Sequence, residues 1–146
     1  MNKDRREELA SSTSSIESVN AKIDSLITYQ YPTSLHFERT RYLFVEEAIR
    51  EAKETIEAAQ QEIENCKDDE QAALDNLPEG LQSSERGDAM TQAVDNMELA
   101  HDNLEEAIDH LGDVEEGMNI EDIITLLESF KEWTESAVEQ LNEASS

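Results

Sequence analysis

Acidic residues recur between positions 95 and 116, mostly three or four apart: Asp95, Glu98, Asp102, Glu105, Glu106, Asp109, Asp113 and Glu116. On a helix of 3.6 residues per turn this spacing gathers carboxylates into one stripe. Two or more per heptad is about one charge per 5 Å, against roughly one per 3.4 Å along a single DNA strand. The chemistry open to such a row is electrostatic, the attraction of a basic surface and above all of one built to hold a nucleic-acid backbone. A solvated face is the competing explanation of charge on a helix, with salt adaptation or a metal-buffering surface as a third. Solubility, however, is ordinarily met with both signs interspersed, and like charges four apart, as in Glu98 with Asp102, Glu105 with Asp109 and Asp109 with Asp113, oppose helix formation. Glu outnumbers Asp by 25 to 11, which speaks against a halophile. The stripe is the candidate partner-binding site.

Other residue types with chemical potential are sparser. His101 with Glu105 and Glu106 with His110 have the i,i+4 spacing of metal ligands, yet a di-metal bundle needs inward carboxylates and Glu-x-x-His on more than one helix. These residues lie on or beside the outward stripe, so no metal site is assigned. Glu46-Glu47 resembles the acidic motif of all-helical nucleotide pyrophosphohydrolases, but Arg50 stands where a third acid belongs. Glu106 and Asp109 have the Glu-x-x-Asp spacing of that family's partner motif and face outward instead of into a pocket. There is no Gly-rich phosphate loop and no Ser/His/Asp or Cys/His arrangement. No catalytic residue and no cofactor is expected.

The most distinctive stretch is DNLPEGLQSSERG, residues 75–87, between two acidic heptad helices. It resembles small acidic helical proteins of bacteriophages and prophages that have no settled activity, and the resemblance implies phage origin without implying a mechanism. Pro78, Gly80 and Ser84 can simply stop one helix, turn and start another. The functional alternative makes Asn76, Leu77, Pro78, Glu79, Gly80 and Leu81 a recognition tip with Arg86 as its only cation.

The elements that must position these residues follow from hydrophobic period. Four helices are expected, at about 3–29, 34–75, 84–117 and 119–144. Helix 1 carries Leu9, Ile16, Val19, Ile23 and Leu26 on one stripe, with a Ser-rich first half that is a weak helix former. Tyr31-Pro32 stops it, and Ser34 can cap the next helix. Helix 2 has Leu35, Tyr42, Ile49, Ile56, Ile63 and Leu77 on one row and Val45, Ala52, Ala59, Cys66 and Ala73 on the other, interrupted only by Glu38 and Glu70. About 40 helical residues span roughly 60 Å, a coiled-coil length. Helix 3 repeats the design with Met90, Ala93, Met97, Ala100, Leu104, Ala107, Leu111, Val114 and Met118, and an alanine once per heptad lets the backbones approach. Asn119 with Asp122 looks like a capping pair for helix 4, which carries Ile120, Ile123, Leu127, Phe130, Ala137, Leu141 and Ala144.

Short connections make consecutive helices antiparallel neighbours. The expected fold is one all-α domain over 1–146, an antiparallel helical bundle of four helices with a projecting two-helix coiled-coil arm. The arm is the second half of helix 2 with the first half of helix 3. Tyr29, Tyr31, Phe37, Tyr42, Phe44, Phe130 and Trp133 all fall where the four-helix end should be, and a thick core needs large side chains.

The net charge of -25, from 11 basic and 36 acidic residues, is uneven. Residues 1–53 hold 8 basic and 9 acidic side chains, whereas 54–146 hold 3 basic and 27 acidic. That field excludes direct binding of nucleic acid or anionic membrane, and attracts basic proteins. A lone Cys66 and a start without an apolar stretch point to a reducing, cytoplasmic setting, in a bacterial host cell if the phage resemblance holds. The expected partner is a basic protein surface, that of a nucleic-acid-binding protein. The competing class is a structural or adaptor coiled coil, in virion assembly or as a homo-oligomer such as a homodimer, whose acidic surface serves solubility.

Overall fold

Each heptad row folds as a helix. The computed structural model describes residues 1–32 and 35–146, with side chains described outside 33–42, so Ser34 and the side chains of Leu35, Phe37, Glu38 and Tyr42 lie outside the described residues. Among the described residues the regular structure is all helical: α1 (Lys3–Thr28), α2 (Leu35–Asp75), α3 (Glu79–Gln82), α4 (Glu85–Gly112) and α5 (Ile120–Ser145). No helix is long and apolar enough to cross a membrane among those residues.

Helix starts are set by side chains that accept from otherwise unpaired backbone N–H groups. Asn2 accepts from Arg5 N at 2.9 Å and Asn119 from Asp122 N at 2.8 Å. α1 packs on α2 and α5, and α4 packs on the same two helices from the other side. Leu9, Ile16, Ile23, Ile56, Ile63, Met97, Leu104, Ile123, Leu127, Phe130 and Leu141 are fully buried between them. Fully burying one such side chain contributes about 1.5–3 kcal/mol.

Apolar period alone leaves the register of two heptad helices open, because sliding one by seven residues presents the same stripe. Polar pairs between the helices choose. Glu70 stands in the row of Ile56, Ile63 and Leu77 with none of its side chain exposed, and its Oε2 accepts from Arg5 Nε at 2.7 Å. Its Oε1 makes no hydrogen bond but lies 3.0 Å from the Met1 nitrogen. Further along, Ser12 Oγ donates to Glu62 Oε2 at 2.6 Å and Cys66 Sγ to Glu8 Oε2 at 3.2 Å. On the other side of α1, Thr134 Oγ1 donates to Asn20 Oδ1 at 2.5 Å, and Lys131 Nζ reaches Asp24 at 2.8 Å.

These pairs run antiparallel, and they correct the expected arm. α1 lies along the second half of α2, up to Glu70, so that half is not free to project as a two-helix arm. The same register sets Thr28 opposite about residue 46, leaving the first turns of α2 beyond the end of α1. The reason is electrostatic: only this alignment brings the Arg5 guanidinium to the buried Glu70 carboxylate.

Two further boundaries differ. α4 ends at Gly112 instead of near 117, with the Asp113 N–H turned back to the carbonyls of Asp109 and His110. Gly117 has φ +90, a conformation that side chains other than glycine rarely adopt, and it sits in the turn that leads to α5. Val114 stays buried although it lies past the helix end. The tip contains the extra short helix α3, resting on α4. Gly87 permits that contact, since a Cβ there would lie 2.0 Å from the Gln82 carbonyl oxygen.

Removing one partner of a buried ion pair strands the other, whereas replacing both by hydrophobes is close to neutral. Arg5→Leu should therefore lower unfolding free energy by about 3 kcal/mol, and Arg5→Leu combined with Glu70→Leu should recover most of that loss, as read by urea denaturation. Gly87→Ala should cost about 2 kcal/mol or more in the same assay, because neither the Gln82 carbonyl nor the α4 backbone can give way cheaply.

Candidate interaction site

α4 begins where Ser84 accepts from the Gly87 N–H, and Glu85 and Asp88 in its first turn favour the positive end of the helix dipole. Its apolar side is locked against α2 and α5 by Met97, Ala100, Leu104, Ala107 and Leu111. This leaves the opposite side to solvent. Asp95, Glu98, Asp102, Glu105, Glu106 and Asp109 are all exposed there. At about 100° per residue these six carboxylates fall within an arc of about 100° and along a rise of about 21 Å.

The other two members of the expected row lie elsewhere. Asp113 caps the end of α4 and Glu116 lies in the turn beyond it. Both are exposed, but Glu116 does not continue the stripe. The apolar step through Val114 and Met118 had carried the helix onward in sequence, whereas the chain leaves the helical path after Gly112.

The cations that form ion pairs do so at other places. Arg50 pairs with Glu47 and Glu54, Lys53 with Glu57, Lys3 with Glu7, and Lys131 with Asp24 and Glu135. Lys67 holds Glu64 at 2.9 Å, and this bond, more than the nearby Glu98, raises its ammonium pKa. Among the described residues no Lys or Arg lies within ion-pairing distance of the six stripe carboxylates. Of the described basic side chains, His101 alone comes within that distance, 3.5 Å from Asp102. Leu99, half exposed beside the stripe, was not singled out by period because it belongs to neither the apolar nor the acidic row.

The motifs considered for metal or phosphate chemistry resolve locally. His110 Nε2 accepts from the Trp133 indole N–H at 3.1 Å, which fixes that ring to α5 and not to Glu106. Glu46 and Glu47 are exposed, and Glu47 is tied to Arg50. Among the described residues no group of three or more His, Cys, Asp or Glu is placed to hold a metal ion.

At the tip, Asn76, Pro78, Glu79, Gly80, Leu81 and Arg86 are exposed and Leu77 is half buried. Gln82, which the sequence did not mark, organises the turn by donating to the carbonyls of Asp75 and Leu77 at 3.3 and 2.9 Å. Ser84 Oγ adds a 2.5 Å bond to the Leu81 carbonyl.

A cleft of about 350 Å3 runs between α1 and α2, lined by Glu8, Ser11, Glu62, Asn65 and Asp69. Cys66, itself buried, donates to Glu8 of the cleft lining. Burial first, and then its bond to Glu8, pushes the thiol up to about 12. Comparison with protein-family models, with curated proteins and with solved structures returned no match.

The Cys66 thiol should thus stay protonated and resist an exchanging disulfide reagent at pH 8 until α1 lifts, so the labelling rate should rise in Arg5→Leu. Between the ordinary value of 9.0 and about 12 the unfolded thiol ionises while the folded one keeps its proton. This contribution to stability is present in full below that window and is lost as pH rises through it. Thermal melts of the parent and Cys66→Ala should therefore converge as pH increases from 8 toward 11.

Proposed function

We propose that this chain is a non-enzymatic acidic interaction protein, a phage-encoded inhibitor that mimics nucleic acid and blocks a nucleic-acid-binding host enzyme such as a defence nuclease. One observation carries the reading: six carboxylates share one exposed arc of α4 with no Lys or Arg ion-pair partner among the described residues. Six charges over about 21 Å approach the spacing of phosphates along one nucleic-acid strand.

The four long helices are read as one antiparallel bundle that holds this row straight. A charge array fixed before binding loses little conformational entropy when it docks, which favours affinity as well as rapid encounter. The acids at the end of α4 oppose the helix dipole, and those four apart repel each other. Both costs are offset by the packing of α4 on α2 and α5, so the fold tolerates a stripe that an isolated helix would not. The phage source rests on the 75–87 resemblance, and the target class on the charge geometry.

A second reading keeps the chain as a structural or adaptor coiled coil. It is favoured by the rings of Tyr29, Tyr31 and Phe44, which gather at centroid distances of 4.9 to 5.8 Å while Tyr29, Leu43 and Phe44 remain about half exposed. Light scattering separates the two, since the inhibitor reading expects a single-chain mass and the adaptor reading an obligate oligomer.

Capture from a nuclease-treated bacterial lysate should retain basic nucleic-acid-binding proteins. Replacing Glu98, Asp102, Glu105 and Asp109 together by Lys should weaken that capture by about a hundredfold or more, as should raising salt from about 0.05 M to about 0.5 M. A complex indifferent to both changes would remove the mimicry.

A further inference from the structure

In a chain with 11 basic and 36 acidic residues, two arginines face one cavity. Arg5 comes from the first turn of α1 and Arg86 from the first turn of α4, and the register that seats Glu70 brings them together at the tip. Between them is a space of about 230 Å3 with apolar walls from Ala73, Leu77, Ala89 and Met90, closed at the start of the chain by Met1 and Asn2. That is several times the roughly 30 Å3 occupied by one water.

The charge state of the site is unlike the rest of the surface. Glu70, the buried acid nearby, is already matched by Arg5 Nε and by the Met1 nitrogen. The two terminal nitrogens of Arg5 make no bond among the described residues, and Arg86 makes no ion pair there although Glu85 and Asp88 flank it on its own helix. A guanidinium presents its donors in a planar fork that matches an oxyanion in bidentate fashion. Two of them over an aliphatic wall fit a ligand with an anionic head and an apolar body. Inorganic phosphate fits poorly, because it would leave a doubly charged ion against Ala, Leu and Met side chains.

We propose that the cavity between Arg5 and Arg86 binds a small organic carboxylate, with the carboxylate between the two guanidinium groups and a short alkyl or aryl body on Ala73, Leu77, Ala89 and Met90. The pocket lies apart from the α4 stripe and takes a ligand of the opposite charge preference. It gives the tip, of which Leu77 and Arg86 are part, a small-molecule role and not a macromolecular one.

Titration calorimetry and amide chemical shifts of the full chain with hexanoate, benzoate and inorganic phosphate test it. Hexanoate or benzoate should bind saturably, with shifts centred on the first turns of α1 and α4, and phosphate should bind far more weakly. Arg86→Gln removes one guanidinium and Ala89→Leu fills the space. Both positions are exposed, so thermal melts should show the fold intact, and each change should weaken carboxylate binding by about tenfold or more. Absence of saturable carboxylate binding, affinity unchanged in either variant, or phosphate binding as tight as hexanoate would overturn the assignment.

Discussion

A single carboxylate placed where the heptad row calls for a hydrophobe governs how the helices are aligned. Glu70 is wholly buried, and a buried charge is tolerated only with a partner of opposite sign held in good geometry. Arg5 is that partner, and it occupies the same row of α1 as Ser12 and Val19. Shift α1 by one heptad and Glu70 loses its cation while every apolar contact remains possible. The ion pair therefore contributes discrimination between registers more than net stability, and it decides which part of α2 is covered. The buried Asn20–Thr134 bond performs the same selection between α1 and α5.

The uneven distribution of charge follows from that arrangement. Cations are drawn into pairs that lie along or between helices, at Glu70, Glu64, Asp24 and the outer face of α2. Among the described residues no Lys or Arg forms an ion pair with the six stripe carboxylates of α4. The stripe survives as an uncompensated field because tertiary packing, and not local helix propensity, holds α4 together. A helix whose stability comes from one buried face can carry mutually repelling charges on the other.

The two ends of the molecule differ in chemistry. At one, Tyr29, Tyr31 and Phe44 cluster beside the start of α2 with much of the surface of Tyr29 and Phe44 open. At the other, the chain reverses through a compact turn made possible by Gly87 and organised by Gln82, and the first turns of α1 and α4 converge on a cavity lined by arginine. The acidic stripe lies between them. Three surfaces of distinct character thus come from one repeated heptad design, two at the ends where the repeat stops and the stripe along the outer face of an unbroken one.

By itself the sequence determined that the chain is helical, which residues each helix buries and which face of α4 is acidic. These properties depend on a period of 3.6 residues, and period is a local property of the chain. The rows of α2, α4 and α5 bury most of the residues that period assigns, from Ile56 and Ile63 to Leu104 and Leu141, while Ile49, Ala73 and Leu77 stay half buried. Only the tertiary structure decided that α1 covers the second half of α2, that α4 stops at Gly112 so that Glu116 leaves the stripe, and that Arg5 and Arg86 share a cavity. Such facts depend on register and on contacts between residues far apart in the chain. A heptad repeat is degenerate in register, so the information lies in its exceptions, and an exception such as Glu70 acquires meaning only when its partner is in place.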